Sequence, residues 1–141
     1  IQPFKMTNHK GNLNIEAING DLLHALELEG HKMNPILCGG GDKLHEAREQ
    51  WSDGANFVAL SPGVVVGYAR NTETVKAMTL AGFEPMSAND WLTAFETEFH
   101  GDYKNIEDSG RKFAIQIVGS ELSRGRGGPR CLTMPLIRGS I

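Results

Sequence analysis

Residues 56–71 read NFVALSPGVVVGYARN and hold two short apolar runs, 56–60 and 63–68, separated by a Ser-Pro pair. Two such runs joined by turn residues are typical of a β-hairpin. Three consecutive valines in the second run favour a strand that is buried on both faces, as in a sheet covered by helices. This stretch therefore predicts an antiparallel pair of strands within an α/β fold.

Strand and helix patterns alternate on both sides of this hairpin. Further strands are predicted at residues 2–7, 34–38, 83–86, 113–118 and 132–137. Helices are predicted at 21–29, at 45–51 (with a tight turn as the alternative), at 71–81 with Asn71 as its cap, and after the capping box Ser87-x-x-Asp90. Residues 8–18 and 101–111 are polar and are expected to form turns or loops. Because helical crossovers join parallel strands while the hairpin is antiparallel, we expect a mixed sheet.

The helix after Ser87 carries large apolar side chains at helical spacing, namely Trp91, Leu92, Phe95 and Phe99. The simplest interpretation is an amphipathic helix that packs on the core. A groove for a cofactor or a partner is the alternative.

The composition is that of an ordinary globular chain. It has 141 residues, of which 40% are apolar and 22% charged, and a formal net charge of −3. This length suits one domain or a piece of a larger one. The weak acidity offers no attraction to nucleic acid or to an anionic membrane, and no apolar run is long enough to span a bilayer. The chain starts at Ile1 without a signal-peptide pattern, so we expect an internal start, as in a fragment or a processed product.

The sequence gives no support for a metal or a nucleotide, and we expect no cofactor. Its two cysteines, Cys38 and Cys131, have no partner at ligand spacing, which argues against zinc. Neither a G-x-G-x-x-G turn between strand and helix nor a Walker loop is present. So few cysteines fit a reducing cytoplasm, although a disulfide between the two stays open.

The loop at residues 120–131, SELSRGRGGPRC, is the main candidate for chemistry. Its three glycines and one proline exclude a regular helix or strand. Its cysteine, Cys131, is expected on the first turn of a strand beside several arginines, where a thiol pKa is lowered and the thiol is more reactive. The alternative is a flexible basic loop followed by an ordinary half-buried cysteine.

Two segments resemble a known family. Residues 48–71 (REQWSDGANFVALSPGVVVGYARN) and 119–138 (GSELSRGRGGPRCLTMPLIR) are similar to the C-terminal part of bacterial arginine deiminases. Gly40-Gly41 and Gly82-Phe83-Glu84 fall in the same order as in that family. The resemblance covers most of residues 33–86 and 113–138 and is looser over the first thirty residues. Residues 87–112, with their helix, look like an insertion.

The resemblance implies a five-bladed α/β propeller of ββαβ units and the hydrolysis of L-arginine to L-citrulline and ammonia. By position, Cys131 matches the nucleophile that attacks the guanidinium carbon to give a thiouronium intermediate. Arg126 matches the loop arginine that binds the carboxylate of the substrate. The Gly125 carbonyl lies where the loop of the family contacts the substrate.

The family also supplies a histidine in an H-x-D segment as general acid and base, and an aspartate and a glutamate that bind the guanidinium. These residues lie upstream of the region that this chain matches. His100-Gly101-Asp102 also reads H-x-D, but we interpret it as a coincidence, since no apolar strand follows it. We therefore expect residues 1–141 to be a C-terminal fragment of one catalytic domain, inactive alone. Its exposed faces would be covered by the N-terminal part of the enzyme or by self-association.

Three alternatives stay open. An amidinotransferase or another guanidine-modifying enzyme would keep the cysteine and the propeller while changing the reaction. A non-catalytic binding module is suggested by the RGRGG run, which looks like RNA-binding RGG segments. However, this run is a single copy in a chain of net negative charge. The third alternative is a degenerate fragment without activity in any context.

Overall fold

The computed structural model describes residues 2–119, 121–125 and 127–137. It divides the chain into two compact units, Ile1–Pro35 and Ile36–Ile141. Within the described residues, no helix is long and apolar enough to cross a membrane.

The first unit is a β-hairpin followed by a short helix. Its elements are β1 (Phe4–His9), β2 (Asn12–Ala17) and α1 (Leu22–Leu28). The two strands pair antiparallel around Lys10 and Gly11, which both adopt positive φ. The side chain of Asp21 accepts a hydrogen bond from the His24 N–H and so caps α1. The strand predicted at 2–7 and the helix predicted at 21–29 are confirmed. Residues 8–18 were expected to be a turn-rich loop, but they contain the whole of β2 together with the end of β1 and the hairpin turn.

The second unit opens with a glycine turn. The strand predicted at 34–38 is absent, and Cys38–Gly41 forms a short 3₁₀ segment in which Gly39 and Gly40 have positive φ. Gly39 lies so close to the next helix that an added Cβ would meet the Glu46 backbone nitrogen at 2.3 Å. This approach draws the chain back toward α2 (Lys43–Trp51), and no described strand pairs with residues 34–38, although the backbone of Leu37 is extended.

A mixed four-stranded sheet forms the centre of the second unit. Its strands are β3 (Val58–Ser61), β4 (Val64–Tyr68), β5 (Phe83–Ser87) and β6 (Lys112–Ile117), in the order β3-β4-β6-β5. The hairpin β3–β4 is antiparallel, and β6 pairs parallel with both β4 and β5. Val64 is fully buried on the inner strand β4, as the valine run predicts. The mixed α/β sheet is therefore confirmed.

Three helices connect these strands: α3 (Thr72–Leu80), α4 (Ala88–Thr97) and α5 (Tyr103–Ser109). The capping box is confirmed, since the Ser87 side chain accepts from the Asp90 N–H. The region 87–112 holds two helices rather than one helix and a loop. Asp102 caps α5, Ile106 is fully buried, and the Tyr103 ring packs against Phe95, so two well-placed side chains fix this otherwise polar helix.

The core lies between the sheet and these last two helices. It consists of Val64, Trp91, Phe99, Ile106, Phe113 and Ile115. The ring centroids of Trp91 and Phe113 are 5.0 Å apart. The amphipathic interpretation is confirmed for Trp91, for the partly buried Phe95 and for Phe99 just beyond the end of α4, but it is wrong for Leu92, which is exposed.

Residues 132–137 do not form the predicted strand. In the described part of the chain no strand pairs with them, and Leu132, Met134, Leu136 and Ile137 are all exposed. An apolar run becomes a strand only where a neighbour accepts its backbone hydrogen bonds.

Arg111 closes one edge of the aromatic core. Its guanidinium donates to the carboxylates of Glu84 (2.6 Å) and Glu98 (2.9 Å), and its Cζ lies 4.7 Å from the Phe113 ring centroid. The hydrogen bond from Arg111 lowers the pKa of Glu84, against a smaller opposing effect of burial. One side chain thus joins β5, the end of α4 and the core.

Arg111→Met should destabilise the chain by about 1–2 kcal/mol in urea unfolding, mainly through lost stacking, because partly exposed ion pairs contribute little. Lys104→Met, which removes an exposed pair with Asp108, is the matched control and should change nothing measurable. Equal losses in the two variants would contradict this role.

The same variant should reduce the acid sensitivity of the chain. Because the folded pKa of Glu84 is lowered, its contribution is complete above the ordinary value of 4.5 and is lost as pH falls through the folded value. The difference in stability between wild type and Arg111→Met should therefore narrow as pH falls below about 4, to the part that comes from lost stacking.

Candidate functional site

Cys131 is exposed and lines an open depression of about 380 Å³. The other described lining residues are Gln50, Asp53, Ala55, Asn56, Phe57 and Arg130. Cys131 lies in a turn, closed by a hydrogen bond from the Leu132 N–H to the Gly128 carbonyl, and not on the first turn of a strand as the sequence suggested. The half-buried alternative is also wrong, since the thiol faces an accessible space.

Two side chains hold the loop before the cysteine at Gly127. The Gly127 N–H donates to Asp53 Oδ2 (3.2 Å), and the Tyr68 hydroxyl donates to the Gly127 carbonyl (2.8 Å). Tyr68 ends β4 and is buried; this burial raises its pKa, and the nearby charges of Asp53 and Cys131 raise it further. Both backbone polar groups of one loop glycine are thereby satisfied by the rest of the unit.

Asn56 contacts the cysteine itself. Its side-chain amide donates to Cys131 Sγ across 2.8 Å. An added Cβ on Gly128 would lie 2.3 Å from Asn56 Cβ, so the loop can pass this side chain only because residue 128 is glycine.

Asp53 and Asn56 are positioned by a buried carboxylate nearby. Glu49 is completely buried in α2, and its oxygens accept from the N–H groups of Glu73 (2.9 Å) and Thr74 (2.8 Å) and from the Thr74 hydroxyl (2.7 Å). These donors belong to the first turn of α3, where a negative charge is stabilised by the helix dipole. The bond fixes α2, and with it the turn that follows, against α3.

Asn71 makes a different contact from the one predicted. Its side chain forms no capping bond with its own helix. Instead it accepts from the Ser52 hydroxyl (2.5 Å) and donates to the Ser52 carbonyl (3.1 Å). Glu49 takes the capping role, and Asn71 holds the residue just before Asp53.

The other residues singled out by sequence have varied positions. Gly125 ends the short 3₁₀ segment Leu122–Gly125 and is exposed, and Arg126 lies outside the described residues. His100 is exposed at positive φ, and the Asp102 carboxylate caps α5, so this H-x-D sequence is the turn between α4 and α5.

Cys38 lies apart from the candidate site. It lines a smaller apolar pocket with Ile36, Phe57, Val65 and Met78. Both cysteines are free, which answers the question of a disulfide. Among the described residues no cluster of histidine, cysteine and carboxylate side chains could hold a metal ion.

Sequence reasoning missed Glu49, Asp53, Asn56 and Tyr68 as parts of the site. The first three share one polar stretch, REQWSDGAN, that carries no apolar periodicity. The signal that could have revealed them is the density of hydrogen-bonding side chains in this stretch, because the backbone groups of a glycine-rich loop elsewhere in the chain need such partners.

Comparisons with known proteins agree on one family. The sequence model of the family described as arginine deiminase matches residues 4–138. The chain is similar to arginine deiminases of Borrelia recurrentis (46% identical over 112 residues) and Borreliella burgdorferi (41% over 112 residues), in both cases over 79% of this chain and 20% of the relative. It is 35% identical to the arginine deiminase of Treponema denticola over 145 residues, which covers 100% of this chain and 28% of the relative. The chain thus spans about a fifth of the length of the Borrelia relatives.

Glu49→Gln should destabilise the chain by about 2–3 kcal/mol, because the amide nitrogen of glutamine would face an N–H donor in a buried site. Urea unfolding followed by tryptophan fluorescence measures the change. Glu46→Gln, the same substitution on the same helix at a carboxylate that accepts from the exposed Gln50 side chain, should cost less than about 0.5 kcal/mol. A loss at Glu49 no larger than that of the control would remove Glu49 from its role.

Proposed function

Because the chain belongs to the arginine deiminase family, we propose that it supplies the nucleophile of an enzyme that hydrolyses L-arginine to L-citrulline and ammonia. The observation that carries the proposal is the exposed Cys131 thiol, which faces a depression and accepts a hydrogen bond from a conformationally fixed side chain. A reactive cysteine needs this combination of access and polar support.

In this proposal residues 1–141 form the C-terminal part of a single catalytic domain built as an α/β propeller. The order β3, β4, α3, β5 (residues 58–87) is one ββαβ unit, which supports that architecture.

The chemistry follows from the thiolate. The sulfur of Cys131 attacks the guanidinium carbon, and the C–N bond to one terminal nitrogen breaks, so that this nitrogen leaves as ammonia after accepting a proton. Water then attacks the thiouronium carbon and loses its protons as the C–S bond breaks, which returns the thiolate and gives the ureido group of citrulline.

The loop before Cys131 would bind the amino-acid end of the substrate. Arg126 would pair with the α-carboxylate, and the Gly125 carbonyl would accept a hydrogen bond from the substrate. The support is indirect and lies at Gly127, the residue after Arg126, whose N–H donates to Asp53 and whose carbonyl accepts from Tyr68.

The described part of this depression holds only part of such a site. A guanidinium cation needs carboxylates around it, and the leaving nitrogen needs a proton donor. Among the described lining residues Asp53 is the one carboxylate, its Oδ2 already bonds Gly127, and none is a histidine. We therefore place the acid, the base and the guanidinium-binding carboxylates in sequence outside these 141 residues.

We expect no citrulline when the purified 1–141 chain is incubated with L-arginine, because the described lining of the depression offers neither a histidine nor a pair of carboxylates for the cation. A colorimetric citrulline assay over hours, with an intact arginine deiminase as the positive control, provides the measurement. Turnover by the chain alone would contradict the proposal and make His100 and Asp102 candidates again.

In a protein that carries this chain within the full length of its relatives, Cys131→Ser should lower citrulline formation by at least about 10⁴-fold, since an alcohol at neutral pH is a far weaker nucleophile than a thiolate. Cys38→Ala is the matched control and should stay active, because Cys38 lies in the separate apolar pocket. Circular dichroism checks that both variants fold. Retained activity in Cys131→Ser would remove the nucleophile assignment.

A further inference from the structure

We propose that Asn56 is a positioning residue for the nucleophile: its side-chain amide donates a hydrogen bond to the Cys131 sulfur and holds this sulfur facing the depression. The proposal rests on the assignment of Cys131 as the nucleophile. It adds a residue that touches the sulfur rather than the substrate.

The contact joins two distant parts of the sequence. Asn56 Nδ2 and Cys131 Sγ are 2.8 Å apart, although 75 positions separate the residues. A thiolate only accepts hydrogen bonds, so the nitrogen of the amide, and not its oxygen, must face the sulfur. A hydrogen bond to the charged form of a group favours that form.

The backbone of Asn56 is fixed by the turn that also holds the loop. The Asn56 N–H donates to the Asp53 carbonyl (3.0 Å), while the Asp53 carboxylate accepts from the Gly127 N–H. One turn of four residues therefore supports the loop at two points, the backbone at Gly127 and the sulfur at Cys131. A side chain that merely filled space would not require this shared support.

Gly128 completes the fit. An added Cβ there would meet Asn56 Cβ and Cγ at 2.3 Å and the amide nitrogen at 2.8 Å. The Gly128 carbonyl in turn accepts from the Leu132 N–H and closes the turn that carries the cysteine. The amide consequently lies between the loop backbone and the thiol, with little room to rotate away.

Other charged or titratable groups also face this region. Asp53 and Arg130 line the same depression with opposite charges, and the Tyr68 hydroxyl lies beyond Gly127. All three are retained in variants of Asn56, so a change in thiol reactivity on substituting Asn56 reports the amide.

The test measures alkylation of Cys131 by iodoacetamide in the 1–141 chain between pH 5.5 and 9, with peptide mapping to separate it from Cys38. Asn56→Ala should slow alkylation at pH 7 roughly three- to tenfold, because the sulfur loses a hydrogen bond that favours its charged form. Asn56→Asp has the same shape but cannot donate and adds a negative charge, so its loss should be at least as large.

Asn89→Asp, the same chemical change at an exposed asparagine of α4, is the control for net charge and should react like wild type. The alkylation rate at the highest pH reports how accessible the sulfur is, so it separates an effect on access from an effect on ionisation. Half-buried Cys38 serves as the internal check on folding, since it should stay slow in every folded variant. Should the alanine variant unfold, the isosteric aspartate variant decides.

Unchanged profiles in both Asn56 variants would overturn the proposal. A slow alanine variant beside an aspartate variant that reacts like wild type would overturn it too, because shape alone would then be sufficient. The readout needs no turnover, so its outcome is independent of the catalytic test on Cys131→Ser: either result can fail while the other stands.

Discussion

The described site depends on one buried carboxylate, Glu49, at the junction of two helices. Its two oxygens accept three hydrogen bonds from the first turn of α3. One of the donors, the Thr74 hydroxyl, also accepts a hydrogen bond from the Gly39 N–H of the glycine turn (2.8 Å). A buried charge is tolerated only with such complete satisfaction, so small displacements of either helix are costly. This constraint fixes the position of the turn at 52–56, and that turn holds the loop that carries Cys131.

The loop is thus ordered from outside rather than by its own sequence. Glycine and arginine have little tendency to fix a backbone, and within 120–131 few side chains can be buried. Order is supplied by Asp53, Asn56 and Tyr68, which all belong to the segment of residues 48–71. The two segments thus have different parts in the structure: one carries Cys131, and the other holds the loop around it in place.

Sequence reasoning succeeded where local physics decides the structure. The hairpin, the helix after Asn71 and the capping box at Ser87 follow from turn residues, periodicity and local hydrogen bonds. It failed where tertiary contacts decide: α5 depends on burial of Ile106, and the apolar run 132–137 finds no pairing strand in the described part of the chain. In the site, the glycine and arginine neighbours of Cys131 suggested a reactive cysteine, which stays a prediction, and the structure shows that this cysteine is exposed. The contacts of Asn56 and Glu49 could not be predicted, because they span 75 and 24–25 positions and no spacing rule reports them.

The three loop glycines therefore have different reasons to be glycine. An added Cβ at Gly125 would meet nothing within 4 Å, and one at Gly127 would make an ordinary contact of 3.4 Å with Leu132. At Gly128 it would overlap Asn56. The side chain of Asn56 can consequently occupy its place only while residue 128 is glycine. In any diversification of this loop the two should be varied together, while Gly125 offers the free position.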